Sequence, residues 1–235
     1  MAIVTGAAQG IGRAIALAMA AAGTHVLVCD INQSGAASVA SEIRSYKRKS
    51  LSVTCDVSDA DQVAAMVEQA LETFGRVDIL VNNAGIQVRA PIAEMRIEDW
   101  DHTLAVNLRG AFLCTRAVLP HMIRRRKGWI INISSDSGKH GWPTGSAYCA
   151  SKFGLIGMTE SVALEVMQDG IHVNAICPGG VVTPLSAHQQ TPTGEPYDRS
   201  DFLQPEEIAT VAVFLASDEA SAFYGASLDA WGRAR

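Results

Sequence analysis

The sequence is poor in charged and aromatic residues and has no long apolar run. Only 18% of its 235 residues are Asp, Glu, Lys or Arg, and 6% are aromatic. The net charge of −5 gives no general attraction to nucleic acid or to an anionic membrane. No stretch is long and apolar enough to span a bilayer, and three glycines and Arg13 interrupt the small-residue N-terminal segment, unlike a signal peptide. We therefore expect neither nucleic-acid nor membrane partners.

Cysteine is scarce, and its pattern excludes two common uses. The chain has five cysteines, an odd number, at positions 29, 55, 114, 149 and 177. Such wide spacing is typical neither of a disulfide framework nor of a zinc site. We therefore predict no metal, and we expect a reducing, cytoplasmic location.

Short runs rich in Val and Ile alternate with longer amphipathic segments, and the 48% hydrophobic content is enough for a large core. The alternation predicts an α/β fold, a Rossmann-like doubly wound parallel sheet with helices on both faces, in a single domain over residues 1–235. Strands are expected at 2–5, 25–29, 51–55, 77–81, 129–134 and 171–176. Helices are expected at 11–22, 34–46, 59–74, 97–126, 147–168 and 205–216.

One segment breaks this alternation. Residues 184–204 are polar, contain Pro and Gly, and show no period. They follow the sixth predicted strand, at the carboxyl edge where doubly wound sheets bind ligands. We predict that they form a loop that covers the substrate.

The first predicted strand runs into TGAAQGIG, residues 5–12. Its glycines allow a tight turn and the close approach of a pyrophosphate, and the following helix offers free N–H groups and its positive dipole end to the anion. A tight turn alone would also need glycines. The loop residues expected at the phosphates are Gly6, Gln9, Gly10, Ile11 and Gly12.

Asp30 closes the second predicted strand. A carboxylate there can accept hydrogen bonds from both ribose hydroxyls of an adenosine and repels a 2′-phosphate. With neutral Gln9 in the glycine loop and no Arg directly after Asp30, the pattern favours NAD over NADP. The alternative is a turn-forming Asp beside Asn32.

Tyr148 and Lys152 are four positions apart on a predicted helix and so share one face. The pair could be an accident of a surface helix, or it could be an acid–base site. In the second interpretation the lysine charge and an oxidised nicotinamide lower the pKa of the phenol from about 10 toward the working pH. A serine hydrolase is disfavoured, because Ser135 has no G-x-S-x-G context and His140 has no evident carboxylate partner.

Taken in order, these motifs resemble the short-chain dehydrogenase/reductase family over nearly the whole chain. The family's markers are TGAAQGIG at 5–12, Asp56–Val57, NNAG at 82–85, Asn107, Ser135, Tyr148 with Lys152, and PGGVVTP at 178–184. The resemblance implies a hydride-transferring enzyme in which Tyr148 is the acid–base residue. It further implies that Ser135 orients the reacting oxygen, that Lys152 also binds the nicotinamide ribose, and that Asn107 links Lys152 to solvent through water.

The resemblance also implies contacts to the cofactor. Asp56 and Val57 are expected beside the adenine, and Asn82 is expected to brace the sheet. The further cofactor-binding residues implied are Ile31, Asn83, Ala84, Gly85, Tyr148, Lys152, Pro178, Gly179, Val181 and Thr183. The C-terminal segment, with Trp231 and Gly232, departs from the family's usual D-G-G. A homo-oligomer, a tetramer or dimer formed through helices 97–126 and 147–168, is nevertheless the expected assembly.

The sequence says less about the substrate. NNAGIQ is similar to family members that act on hydroxy acids, sugar acids and polyols, which favours a small polar secondary alcohol or its ketone. Two alternatives stay open: a 3-oxoacyl thioester reductase, which would favour NADPH and a long acyl channel, and a non-catalytic NAD-binding partner protein. The residues expected to line the substrate pocket are Gln87, Arg89, Asp136, Ser137, His140 and Trp142.

Overall fold

Seven parallel strands form one sheet in the order β3-β2-β1-β4-β5-β6-β7. A computed structural model describes residues 1–187 and 199–232. The strands are β1 Ala2–Thr5, β2 Val26–Asp30, β3 Ser50–Thr54, β4 Ile79–Asn82, β5 Gly128–Ile133, β6 Ile171–Pro178 and β7 Ser227–Ala230. The predicted fold class is thereby confirmed.

Seven α-helices lie on the two faces of this sheet in the described ranges. They are α1 Gly10–Ala21, α2 Gln33–Ser45, α3 Ala60–Phe74, α4 Ile97–Leu104, α5 Gly110–Arg125, α6 Ser146–Val166 and α7 Pro205–Leu215. Alternate residues of each central strand point to opposite faces, so the sheet carries two hydrophobic cores. Val4 packs with α1, α2 and α7, whereas its neighbour Ile3 packs with α3, α5 and α6.

The ends of β1 and β4 are tied together at the point where the strand order reverses. The Thr5 hydroxyl accepts hydrogen bonds from the backbone N–H groups of Asn83 and Ala84, at 3.0 and 3.1 Å. The Asn83 side-chain amide donates to the carbonyls of Thr5 and Gly6, both at 2.9 Å. These bonds hold open the crevice in which doubly wound folds bind their ligands.

Buried amides link the sheet to the helices, as the resemblance implied for Asn82. Its Nδ2 donates to Asn132 Oδ1 at 2.8 Å and to Thr115 Oγ1 of α5 at 3.1 Å. Asn132 in turn donates to Thr159 of α6 at 2.8 Å. The network fixes α6 against the sheet by polar contacts as well as by packing.

The elements differ from the sequence prediction in two places. The six predicted strands are present with ends shifted by up to two residues, but β7 was not among them, because its short, partly exposed sequence SLDA has little strand character. The predicted helix 97–126 is two helices joined by a π-helical turn at Ala105–Arg109. Of the predicted covering loop 184–204, residues 188–198 lie outside the described residues.

Within residues 1–187 and 199–232, no helix has the length and apolar character needed to cross a membrane. In the same ranges no three His, Cys, Asp or Glu side chains are grouped so that they could hold a metal ion. All five cysteines are buried free thiols.

Candidate active site

A cavity of about 970 Å³ opens at the carboxyl edge of the sheet. It is lined by the ends of β1, β2, β4, β5 and β6 and by the first turns of α1 and α6. Its size is that of a pocket for a cofactor together with a small substrate. Of the residues predicted to bind the cofactor, it is lined by Gly6, Gln9, Gly10, Ile11, Asp30, Ile31, Asp56, Val57, Asn83, Ala84, Gly85, Tyr148, Lys152, Pro178, Gly179, Val181 and Thr183.

The glycine loop is shaped so that a ligand can approach its backbone. Gly6 and Gly10 have φ angles of +62° and +55°, in the left-handed region that favours glycine. Gly12 is not among the cavity-lining residues; a Cβ there would lie 2.3 Å from the Gly6 carbonyl oxygen, so its role is to let α1 pack against the loop. The N-cap residue of α1, Gln9, makes no side-chain capping bond, which leaves the helix terminus to an anion.

Asp30 is held at the mouth of the cavity by backbone donors. Its Oδ2 accepts from Ala8 N and its Oδ1 from Asn32 N, both at 2.9 Å. The bond to Asn32 is the turn-forming role considered as the alternative. Because the carboxylate also lines the cavity, the turn and a ribose-binding position are compatible.

Further parts of the cavity lining come from the segments after β3 and β6. Asp56 Oδ1 accepts from the backbone N–H and the hydroxyl of Ser58, at 2.8 and 2.7 Å, so this carboxylate is fixed beside Val57. After β6, Thr183 donates its backbone N–H to Ser186 Oγ at 3.1 Å. Both turns therefore present their side chains at defined positions along the cavity.

Tyr148 and Lys152 lie on the buried face of α6. Their relative exposures are 8% and 3%, which excludes the interpretation of a surface helix. Lys152 Nζ donates to the carbonyl oxygen of Ile133 at 2.8 Å and lies 5.6 Å from the centroid of the Tyr148 ring. The phenol and the ammonium therefore face one cavity, as an acid–base pair requires.

The pKa shifts of this pair are dominated by burial. Burial raises the pKa of Tyr148 to about 12, and this outweighs the lowering effect of Ser135. Burial also lowers the pKa of Lys152 to about 8. Desolvation of a buried phenolate is thus the larger effect in the protein alone, and the lowering of the phenol pKa by Lys152 together with oxidised nicotinamide stays a prediction.

Ser134 and Ser135 point in different directions, as strand alternation predicts. Ser134 Oγ donates to the backbone carbonyl of Lys152 at 3.0 Å and so anchors α6. Ser135 lines the cavity together with Tyr148 and donates its hydroxyl to Asp136 Oδ1 at 2.8 Å. Both serines line the cavity, and the contact of Ser135 with a reacting oxygen stays a prediction.

Asn107 lies behind the cavity and does not line it. It is buried in the π-helical turn, a feature that often marks functional sites. Its Oδ1 accepts from Ile86 N at 2.8 Å, and its Nδ2 donates to Ile86 O and Ser151 Oγ at 2.9 and 3.0 Å. These contacts give Asn107 a positioning role; its proposed water link to Lys152 stays a prediction.

The substrate candidates are only partly brought together. Gln87, Arg89, Asp136, Ser137 and Trp142 line the cavity. His140 does not: it is exposed, and its ring packs edge-on against Trp231 at a centroid distance of 5.6 Å. His102 of α4 and Val106 of the π-helical turn also line the cavity, and no local motif in the sequence marks either of them. Asp201 and Phe202 also line it, and both lie in the predicted covering loop.

We expect the burial of Lys152 to reduce stability at neutral pH. The pKa of Lys152 is about 8 in the folded protein, below the ordinary value of 10.5. Between pH 8 and pH 10.5 the unfolded chain therefore binds more protons than the folded one, so stability rises with pH in this window. The penalty, ~3 kcal/mol, is complete below pH 8 and disappears as the pH rises toward 10.5. Lys152→Met should raise the free energy of unfolding at pH 7 by about 2 kcal/mol, since the lost bond to Ile133 offsets about 1 kcal/mol.

Urea unfolding at pH 7 and at pH 10 measures the free energy of unfolding of Lys152→Met minus that of wild type. This difference should be positive at pH 7 and close to zero at pH 10. The exposed Lys127→Met variant is the control and should change stability by less than about 0.5 kcal/mol at both pH values. A Lys152→Met protein that is less stable than wild type at pH 7 contradicts the burial argument.

The comparisons with known proteins agree with this geometry. The short chain dehydrogenase family model matches residues 1–193. The chain is 41% identical over 225 residues to the 3-oxoacyl-[acyl-carrier-protein] reductase FabG of Thermotoga maritima, covering 93% of this chain and 91% of that protein. It is also 41% identical over 233 residues to D-threitol dehydrogenase of Mycolicibacterium smegmatis, covering 97% and 90%.

A solved structure extends the similarity to three dimensions. The 3-ketoacyl-(acyl-carrier-protein) reductase from Brucella melitensis, crystallised in complex with NADH, matches with a TM-score of 0.88 and 34% identity over 99% of this chain and 96% of that one. The chain therefore belongs to the short-chain dehydrogenase/reductase family, whose members are oxidoreductases acting on CH–OH or C=O groups.

Proposed function

We propose that this enzyme transfers a hydride between NAD(H) and a small polar secondary alcohol or its ketone, a sugar, polyol or sugar acid, with Tyr148 as the acid–base residue. The observation that carries the proposal is the convergence of Tyr148, Lys152 and Ser135 on the same cavity that the glycine loop lines. When bound, the nicotinamide supplies the hydride chemistry; the chain supplies orientation and the proton.

The proton assignment follows from burial. With a pKa raised to about 12, the Tyr148 phenol carries its proton at pH 7 and can donate it to the oxygen of a ketone. Ser135 lines the cavity with Tyr148, and its hydroxyl, which donates to Asp136 in the protein alone, would turn to donate to that oxygen. In the oxidative direction Tyr148 must receive the alcohol proton, and the positive charge of oxidised nicotinamide would then favour the phenolate.

The preference for NAD is supported by Asp30. Its carboxylate is fixed by two backbone N–H groups and lines the cavity where an adenosine ribose would lie, so it would repel a 2′-phosphate. The NADH in the Brucella relative is consistent with this choice. The predicted roles of Asp56 and Val57 at the adenine and of Pro178, Gly179, Val181 and Thr183 at the nicotinamide fit their places along the same cavity.

A polar substrate is supported by the cavity wall near Tyr148. Gln87, Asp136 and Ser137 supply polar groups there, and D-threitol dehydrogenase is one of the relatives. A 3-oxoacyl thioester reductase is the second candidate. It is favoured by the FabG relative and by apolar cavity residues such as Leu185 and Phe202. We propose that residues 184–204 cover this end of the cavity, since Pro184, Leu185, Asp201 and Phe202 line it.

We further propose that the protein is cytoplasmic, on the basis of its five free cysteines, because free thiols are typical of a reducing compartment.

We also propose that the protein is a homo-oligomer, a tetramer or dimer. The exposed apolar side chains Phe112, Phe153 and Leu164 on α5 and α6 support an interface there, with exposures of 48%, 47% and 73%. Light scattering should show a dimer or tetramer that Phe153→Glu dissociates. A monomeric wild-type protein contradicts the assembly.

Tyr148→Phe tests the acid–base assignment. Removing the hydroxyl while the buried ring stays should lower kcat by about 10²–10⁴-fold, the usual contribution of general acid–base catalysis. NADH binding, measured by fluorescence, should persist. Turnover is followed at the reduced-nicotinamide absorbance with polyols, sugars, hydroxy acids and 3-oxoacyl thioesters.

Tyr224→Phe is the matched control. Tyr224 is a partly exposed tyrosine that lies far from Tyr148 in the sequence, and its hydroxyl contacts His172. It should retain wild-type turnover. Full activity in Tyr148→Phe overturns the assignment, and silence of the wild-type protein toward every substrate favours the non-catalytic, NAD-binding alternative.

Asp30→Ala tests the cofactor preference. Loss of a hydrogen bond to a charged group should weaken NADH binding roughly tenfold or more and bring the affinities for NADH and NADPH closer. Asp61→Ala, at an exposed position in the first turn of α3, controls for the change in net charge. Tighter binding of NADPH than of NADH by the wild-type protein contradicts the proposal.

A further inference from the structure

We propose that Asp136 is a substrate-binding and specificity-determining residue that accepts a hydrogen bond from a second hydroxyl, next to the reacting carbon of a neutral polyol. Asp136 thereby selects substrates with a hydroxyl on the carbon next to the reacting one over substrates with a carboxylate on that carbon. The inference rests on the proposed function and narrows its substrate class to neutral hydroxylated compounds.

The Asp136 carboxylate is held rigidly beside the reacting groups. Its Oδ1 accepts from Ser135 Oγ at 2.8 Å, from Ser137 N at 2.6 Å and from Ser137 Oγ at 3.2 Å. The backbone carbonyl of Asp136 also accepts from the N–H groups of Lys139 and His140, which fixes the short 3₁₀ turn in which it lies. Preorganisation of this kind is what a selective binding group needs.

The second carboxylate oxygen is the one that a substrate can use. Among the residues that the structure describes, Asp136 Oδ2 receives no hydrogen bond, whereas Oδ1 receives three. Asp136 is partly exposed and lines the cavity next to Ser135 and Tyr148. A hydroxyl on the carbon adjacent to the reacting one would therefore find a charged acceptor with spare capacity.

The bond from Ser135 to Asp136 also bears on the reaction. A serine hydroxyl has a single proton, and here that proton is directed at Asp136. Asp136 therefore holds the Ser135 hydroxyl in place in the protein alone, and a bound ketone oxygen would take over that hydrogen bond. The negative charge of Asp136 is also one of the smaller causes of the raised pKa of Tyr148, after burial.

A cation also lines the cavity. The Arg89 guanidinium lies 4.6 Å from the centroid of the Trp142 ring, and the Trp142 indole N–H donates to Ser137 Oγ at 2.9 Å. Asp136, in contrast, is hydrogen-bonded directly to Ser135. A carboxylate borne by the carbon adjacent to the reacting one, in place of the second hydroxyl, would meet Asp136 and be repelled.

Three four-carbon alcohols separate the hydrogen bond to a second hydroxyl from the repulsion of a carboxylate. They are butane-2,3-diol, which has the second hydroxyl, butan-2-ol, which lacks it, and 3-hydroxybutanoate, which has a carboxylate in its place. For the wild-type enzyme, kcat/KM with the diol should exceed that with butan-2-ol by about tenfold or more, because a hydrogen bond to a charged group is made only by the diol. Asp136→Asn should reduce this ratio at least about fivefold and raise the relative kcat/KM of the hydroxy acid. NADH binding, measured in parallel, shows that the variant is folded.

Asp61→Asn is the matched control, since it removes the same charge from an exposed carboxylate in the first turn of α3, outside the residues that line the cavity. It should leave the ratio of diol to butan-2-ol within about twofold of wild type. An unchanged ratio in Asp136→Asn, or a wild-type enzyme that turns over both alcohols equally well, overturns the inference while the proposed function stands. Absence of wild-type turnover with all three alcohols and their ketones overturns the inference together with the polar-alcohol function.

Discussion

Burial of the Tyr148–Lys152 pair is the constraint on which the active site depends. Water is largely removed from both groups, so the charged form of each is disfavoured: the phenol pKa rises to about 12 and the lysine pKa falls to about 8. The protein offsets part of this cost with the bond from Lys152 to the Ile133 carbonyl and with the Ser134 bond that anchors α6. The result is a proton donor and a cation held in a site where small charge changes have large effects.

The fold places the residues proposed to bind the cofactor and the acid–base pair along one cavity at the carboxyl edge of the parallel sheet. Asn83 ties β4 to β1 and to the glycine loop, while the amide network from Asn82 through Asn132 holds α6 in place. Asp30 at one end of the cavity and Asp136 at the other are both fixed by backbone N–H donors. We infer that the Asp30 carboxylate binds the adenosine ribose and that the Asp136 carboxylate binds the substrate.

Much of this arrangement could be predicted from the sequence, because its strong signals are local. Buried strands, the glycine loop, Asp30 and the spacing of Tyr148 and Lys152 are each visible within a few residues. The parts that could not be predicted depend on long-range packing. β7 is short and partly exposed, and His102 of α4 and Val106 of the π-helical turn line the cavity without a local motif. His140 is a polar loop residue that packs on Trp231 instead of lining the cavity. The burial that raises the pKa of Tyr148 in the protein alone was also beyond the sequence, because spacing reveals the neighbouring charge but not the degree of burial.

The central claim is that Tyr148 is an acid–base residue whose pKa is set by burial and then lowered by the charge of oxidised cofactor. An ultraviolet titration of phenolate absorbance, as the difference between wild type and Tyr148→Phe, measures this pKa directly with and without saturating NAD⁺. We expect a value of about 12 in the protein alone and a clearly lower one with NAD⁺ bound. An ordinary pKa near 10 that NAD⁺ leaves unchanged would contradict the account.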